Sequence, residues 1–114
     1  MLMKGEIMER THNKLVRDKI LDIIRADNCT PEYRVLSDKE CLEEANKKLL
    51  EEVNEYLESG EISELCDIEE VLRLIISLKG LSYAEFEDKR KAKNNKRGSF
   101  TKRIFLISEK DNEK

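Results

Sequence analysis

The chain has no tryptophan, a single histidine and a single proline, and aromatic residues make up only 5% of its 114 positions. No segment approaches the ~18 consecutive apolar residues of a membrane-spanning helix. The opening MLMKGEIMERTHN has no apolar run like that of a signal peptide. Three cysteines, Cys29, Cys41 and Cys66, are odd in number and lack CxxC spacing, which argues against a disulfide framework or a zinc site and for reduced thiols in a cytoplasmic protein. The lone histidine, His12, sits beside an N-terminal stretch expected to be a weakly packed arm over residues 1–10, so histidine chemistry is not where a function should be sought. A net charge of −3 and a pI near 5.4 argue against a binder of nucleic-acid polymers. What remains is one helical domain over residues 11–114, with a core modest enough that assembly with further copies is expected.

What the chain does have is charge, 41% of all residues, and part of it is patterned. The run LLEEVNEYLESGEISELCDIEE carries Glu52 and Glu55, with Glu51 beside them, then Glu64 and Asp67. Residues three apart on an α-helix project from nearly the same face. A tight break at Glu58-Ser59-Gly60-Glu61 would fold the two helices back on each other, so four carboxylates converge. Such a cluster repels itself unless a cation fills it, and oxygen-only ligands suit Mg²⁺ or Mn²⁺. A solvated helix face is the alternative reading of any one acidic pair. Two pairs on adjacent helices, with Glu52 and Glu64 beside the apolar stripes, favour a half-buried site.

Four helices follow from periodicity and punctuation. The first covers about 15–26 and stops ahead of Pro31. The second starts at a Ser37–Glu40 capping box and runs to about residue 58; the third covers about 62–78, with Gly80 as its stop. The fourth starts at a Ser82–Glu85 capping box and ends near Arg97, before Gly98. Segments 33–36 and 103–107 are β-prone and are expected to form a small two-stranded ribbon, within the chain or between subunits. The third helix is apolar nearly all round, which places it at or near a dimer interface.

Positive charge collects at two places: Lys14 and Arg17 near the first helix, and Arg90, Lys93 and Arg97 along the fourth. In a protein acidic overall, neutralising a di- or triphosphate is an evident use for such groups.

The pattern EEVNE followed by ELCD resembles the EExxE…ExxD signature of the MazG-type all-α nucleotide pyrophosphohydrolases. NKLVRDKI and KRGSFTKRIFLI further resemble the small, single-domain "house-cleaning" members often described as phosphoribosyl-ATP pyrophosphohydrolase-like, and the likeness extends over residues 13–107. The resemblance implies an all-α, four-helix MazG-like core with Mg²⁺ on Glu52, Glu55, Glu64 and Asp67, Mn²⁺ being an alternative. Glu51 would orient or deprotonate the attacking water, Lys14, Arg17, Lys93 and Arg97 would hold phosphates, and Glu70 would lie just behind the ligands. The implied reaction is hydrolysis of a nucleoside triphosphate between its α and β phosphates, by a homodimer or homotetramer. Phosphoribosyl-ATP as substrate, and a non-catalytic helical interaction module, are the alternatives. Only eight residues separate Glu55 from Glu64, which leaves little room for a substrate-covering segment between the motif helices.

Overall fold

The structure is a computed structural model that describes residues 7–113. It contains four helices, α1 (Ile20–Ala26), α2 (Asp38–Ser59), α3 (Ile62–Leu78) and α4 (Tyr83–Arg97), and no strand among the described residues. The fold is all-α. The chain divides into two compact units after Gly80, one holding α1–α3 and the other α4 and the C-terminal segment. Residues 1–6 of the expected arm lie outside the described residues; residues 7–10 have no regular structure and are exposed.

The first unit is organised by the α2–α3 hairpin. Its turn is Gly60, at φ 69°, where the backbone is left-handed and a side chain is disfavoured. The Gly60 N–H donates to the Tyr56 carbonyl at 2.7 Å, closing α2, and the Glu61 N–H donates to Ser59 Oγ at 3.1 Å before α3 begins. The helices then run back antiparallel. Ala45 and Ile75 each lie fifteen residues from Gly60, and both are buried, with Ile76 beside them. Along α2, Glu52 falls seven residues after Ala45, two turns further on the same line, so the apolar seam continues into a carboxylate.

Three details depart from expectation. First, α1 begins at Ile20 rather than near residue 15. Residues 15–17 are non-helical: Asn13 just before them turns left-handed at φ 47°, and the segment lies along α2 and α3, where it lines a shared cleft. Its stop is also not proline-driven. Asn28, at φ 60°, donates its N–H to the Arg25 carbonyl while the Cys29 N–H donates to that of Ile24, which is a Schellman ending. Second, at the N-terminus of α2 only half the capping box forms: Ser37 Oγ accepts from the Glu40 N–H, while Glu40 pairs with Arg34 at 2.7 Å. The Ser82–Glu85 box on α4 is complete. Third, segments 33–36 and 103–107 form no ribbon. Val35 is 90% exposed, Arg103 turns left-handed at φ 58°, and an isolated pair of short strands has too little to bury in water.

The expected interface on α3 is altered as well. Ile75 and Ile76 are covered within one chain, so they report on folding rather than assembly. The exposed apolar residues of the hairpin are instead Leu50, Leu57, Ile62 and Leu65.

Replacing Gly60 by Ala should cost about 1–2 kcal/mol, since the added Cβ meets no neighbour and the penalty is purely that of the left-handed backbone. Asn should cost less than Ala. Urea unfolding of the two variants measures both, and equal stability of Ala and wild type would contradict this account of the turn.

Candidate metal and phosphate site

Glu52, Glu64 and Asp67 each offer one oxygen, and the three oxygens lie within 4.8 Å of one another. The arrangement follows directly from the hairpin. Glu52 lies eight residues before Gly60 and Asp67 seven after it, so they face each other at one level, and Glu64 reaches up from the first turn of α3. There the positive end of the helix dipole favours a carboxylate.

Glu52 is the unusual member. It is only 6% exposed, deeper than the half-buried position expected of a residue flanking the stripe. Its Oε1 lies 3.4 Å from Lys48 Nζ, while its Oε2 is buried with no hydrogen-bond partner. Burial is the main reason its carboxyl titrates above the usual range; the neighbouring Glu55 carboxyl adds to the effect and Lys48 partly offsets it. An orphaned, buried carboxylate oxygen beside two further carboxylates is a donor set suited to a hard divalent cation, so the residues present fit Mg²⁺ or Mn²⁺. Glu55 lies beside Glu52 but is exposed and is not one of the three convergent acids.

Cations surround this cluster. Arg17 Nη2 donates to Asp67 Oδ1 at 2.6 Å, and Lys14 Nζ donates to Glu51 Oε1 at 3.3 Å. Lys48 lies 3.7 Å from the same Glu51 oxygen. These pairs differ in depth. Lys48 is 18% exposed against 8% for the Glu52 side chain, whereas Arg17 and Asp67 are 57% and 36% exposed. Exposed pairs contribute only about 0.2–1 kcal/mol and separate readily. A pair as deep as Lys48–Glu52 does not, because either charge left alone would be stranded away from water.

Beside the acids a cleft of about 520 Å³ opens between the 15–19 segment, α2 and α3. Its lining mixes Arg17, Asp18, Lys19, Lys48, Glu52, Asp67 and Glu70 with Leu15, Val16, Cys41, Val71 and Leu74. Glu70 thus sits one turn beyond Asp67 at the cleft wall. Lys93 and Arg97 lie exposed on α4, in the second unit, and Arg97 borders a shallow depression formed with residues 98–104. Arg90, on the expected basic stripe, is paired with Glu87 at 2.7 Å.

Lys48 is the residue that the sequence reading missed. Its signal was present: in KKLLEE it stands three before Glu51 and four before Glu52, the spacing of helical ion pairs.

No protein-family model matches the chain, and no curated protein or solved structure does either.

The raised Glu52 carboxyl has a signed consequence. A group that holds its proton more tightly folded than unfolded loses stability as pH rises from the ordinary carboxylate range through the raised value, and the deficit persists at neutral pH. Glu52→Gln should therefore flatten the stability profile between acid and neutral pH when divalent cations are absent. Thermal melts across that range test it; a profile as pH-dependent as that of the wild type would show that Glu52 is not the group responsible.

Proposed function

We propose that this protein is a Mg²⁺-dependent nucleotide pyrophosphohydrolase of the MazG type, cleaving a nucleoside triphosphate between the α and β phosphates to give a monophosphate and pyrophosphate. The observation that supports this reading most is the convergence of Glu52, Glu64 and Asp67 around the partnerless Glu52 Oε2. The resemblance of EEVNE…ELCD to the family signature runs through the same three residues.

Glu52, Glu64 and Asp67 would hold the cation, with Glu55 able to join by a side-chain rotation from its exposed place beside Glu52. When bound, the ion polarises the phosphoryl group and lowers the pKa of an attacking water. Glu51, one residue from Glu52, would orient that water and accept its proton. Lys14 and Arg17 border the acids and would offset the charge that develops on the phosphates; Lys93 and Arg97 are assigned the same role from the family pattern. The apolar part of the cleft lining, Leu15, Val16, Val71 and Leu74, suits the base and sugar. A cytoplasmic setting, where nucleoside triphosphates and magnesium are plentiful, agrees with this chemistry and with three unpaired cysteines.

The reading predicts that Mg²⁺ or Mn²⁺ raises the melting temperature, by the equivalent of about 2.7 kcal/mol at a hundred times the dissociation constant. Asp67→Ala and Glu55→Ala should remove most of that gain, Asp67 the more completely, together with pyrophosphate release from triphosphates. A pyrophosphate-release screen over ordinary and damaged nucleotides and phosphoribosyl-ATP identifies the substrate. Melting temperatures indifferent to both metals and to both substitutions would reject the site.

The same reading makes the protein a homo-oligomer. Buried apolar residues amount to Ala45, Ile75 and Ile76 among the described residues, while Leu57 and Ile62 are each 73% exposed on the hairpin. Leu57→Glu touches no packed neighbour and should leave the fold intact while reducing the particle mass seen by light scattering. A wild type that scatters as a monomer at high concentration would contradict assembly.

A further inference from the structure

We infer that Arg17 is a transferable counter-cation, which neutralises Asp67 until a metal-complexed polyphosphate arrives and then turns to the phosphates. Free divalent cation and metal-bound polyphosphate should accordingly respond to Arg17 with opposite sign. The inference rests on the pyrophosphohydrolase reading above and adds to it a coupling between its two ligands.

Geometry sets up the competition. The Arg17 guanidinium donates to Asp67 Oδ1 at 2.6 Å, and Asp67 supplies one of the three oxygens that converge with those of Glu52 and Glu64. A divalent ion among those oxygens would meet the guanidinium at short range, and like charges so placed repel. Something must give. The exposures identify which cation does: Arg17 is 57% exposed, whereas Lys48 is 18% exposed and pinned against buried Glu52. The backbone that carries Arg17 is tied independently of its head group, since the Arg17 carbonyl accepts from the Ile20 N–H at 3.1 Å at the start of α1. The side chain can therefore swing while its base stays in place. A planar guanidinium lining the cleft beside the acids is well shaped to meet a phosphate through two parallel hydrogen bonds. The metal that expels Arg17 from Asp67 brings with it, when complexed to polyphosphate, the group that Arg17 turns to.

The test uses the full chain and two probes, free Mn²⁺ and the preformed Mn²⁺ complex of an α,β-methylene nucleoside triphosphate, with binding measured by calorimetry. Arg17→Gln should bind free Mn²⁺ about threefold more tightly, because an exposed competing charge has gone. It should bind the complex about tenfold more weakly, because a charge-assisted contact to phosphate has been lost. Arg17→Lys keeps the charge and should return free Mn²⁺ affinity to the wild-type value; its failure to do so would overturn the competition. Shifts of the same sign for both probes in Arg17→Gln, or no shift in either, would overturn the transfer while leaving the metal site standing. A wild type that binds no Mn²⁺ at all would remove the functional reading along with it.

Discussion

Glu52 poses the electrostatic problem around which the first unit is built. It occupies a position of the α2 seam that, two turns earlier, is filled by fully buried Ala45. An apolar residue there would extend the core. A carboxylate instead brings a desolvation cost that Lys48 relieves at one oxygen and nothing relieves at the other. The neighbouring acids deepen the problem, since Glu64 and Asp67 crowd the same point. A fold selected for stability alone would not keep this arrangement. On the proposed function it is stabilisation surrendered at a site, which a bound cation would restore.

The surrounding charges fall into two kinds, separated by depth. Lys48 belongs to the hairpin itself: it shares the α2 face with Glu51 and Glu52 and is shielded from solvent, so it sets the orientation of Glu52 as much as its charge. Lys14 and Arg17 come from a non-helical segment and meet their acids at the surface. That segment lies along α2 and α3, lining the cleft, rather than continuing α1.

Much of this was readable in advance. The bounds of α3, the turn at Gly60, the Ser82 capping box and the meeting of Glu52, Glu64 and Asp67 all follow from short-range rules: helical period, a left-handed glycine, a hydroxyl three residues before a carboxylate. What escaped depends on tertiary partners. The start of α1 depends on the 15–17 segment lying along α2 and α3, and the half-formed box at Ser37 on Arg34 drawing Glu40 away. The depth of Glu52 escaped for a subtler reason. Beside a stripe and within it differ by one helical position, and only the partner helix decides which applies. The ribbon failed because β-propensity reflects packing against neighbours, and Val35 and Ile104–Ile107 are largely exposed.

The exposed apolar residues complete the physical picture. Two amphipathic helices can bury one seam between them, and here that seam is short at its apolar end and ionic at the other. Leu50 and Leu57 lie seven residues apart, on one line of α2, so their exposure is a continuous strip rather than scattered residues. Covering that strip would add apolar burial where the hairpin has least, without touching Glu52 or the cleft. Assembly and catalysis would then draw on different faces of one helix: the seam side holds the acids at a cost in stability, and the outer side supplies the burial that offsets it.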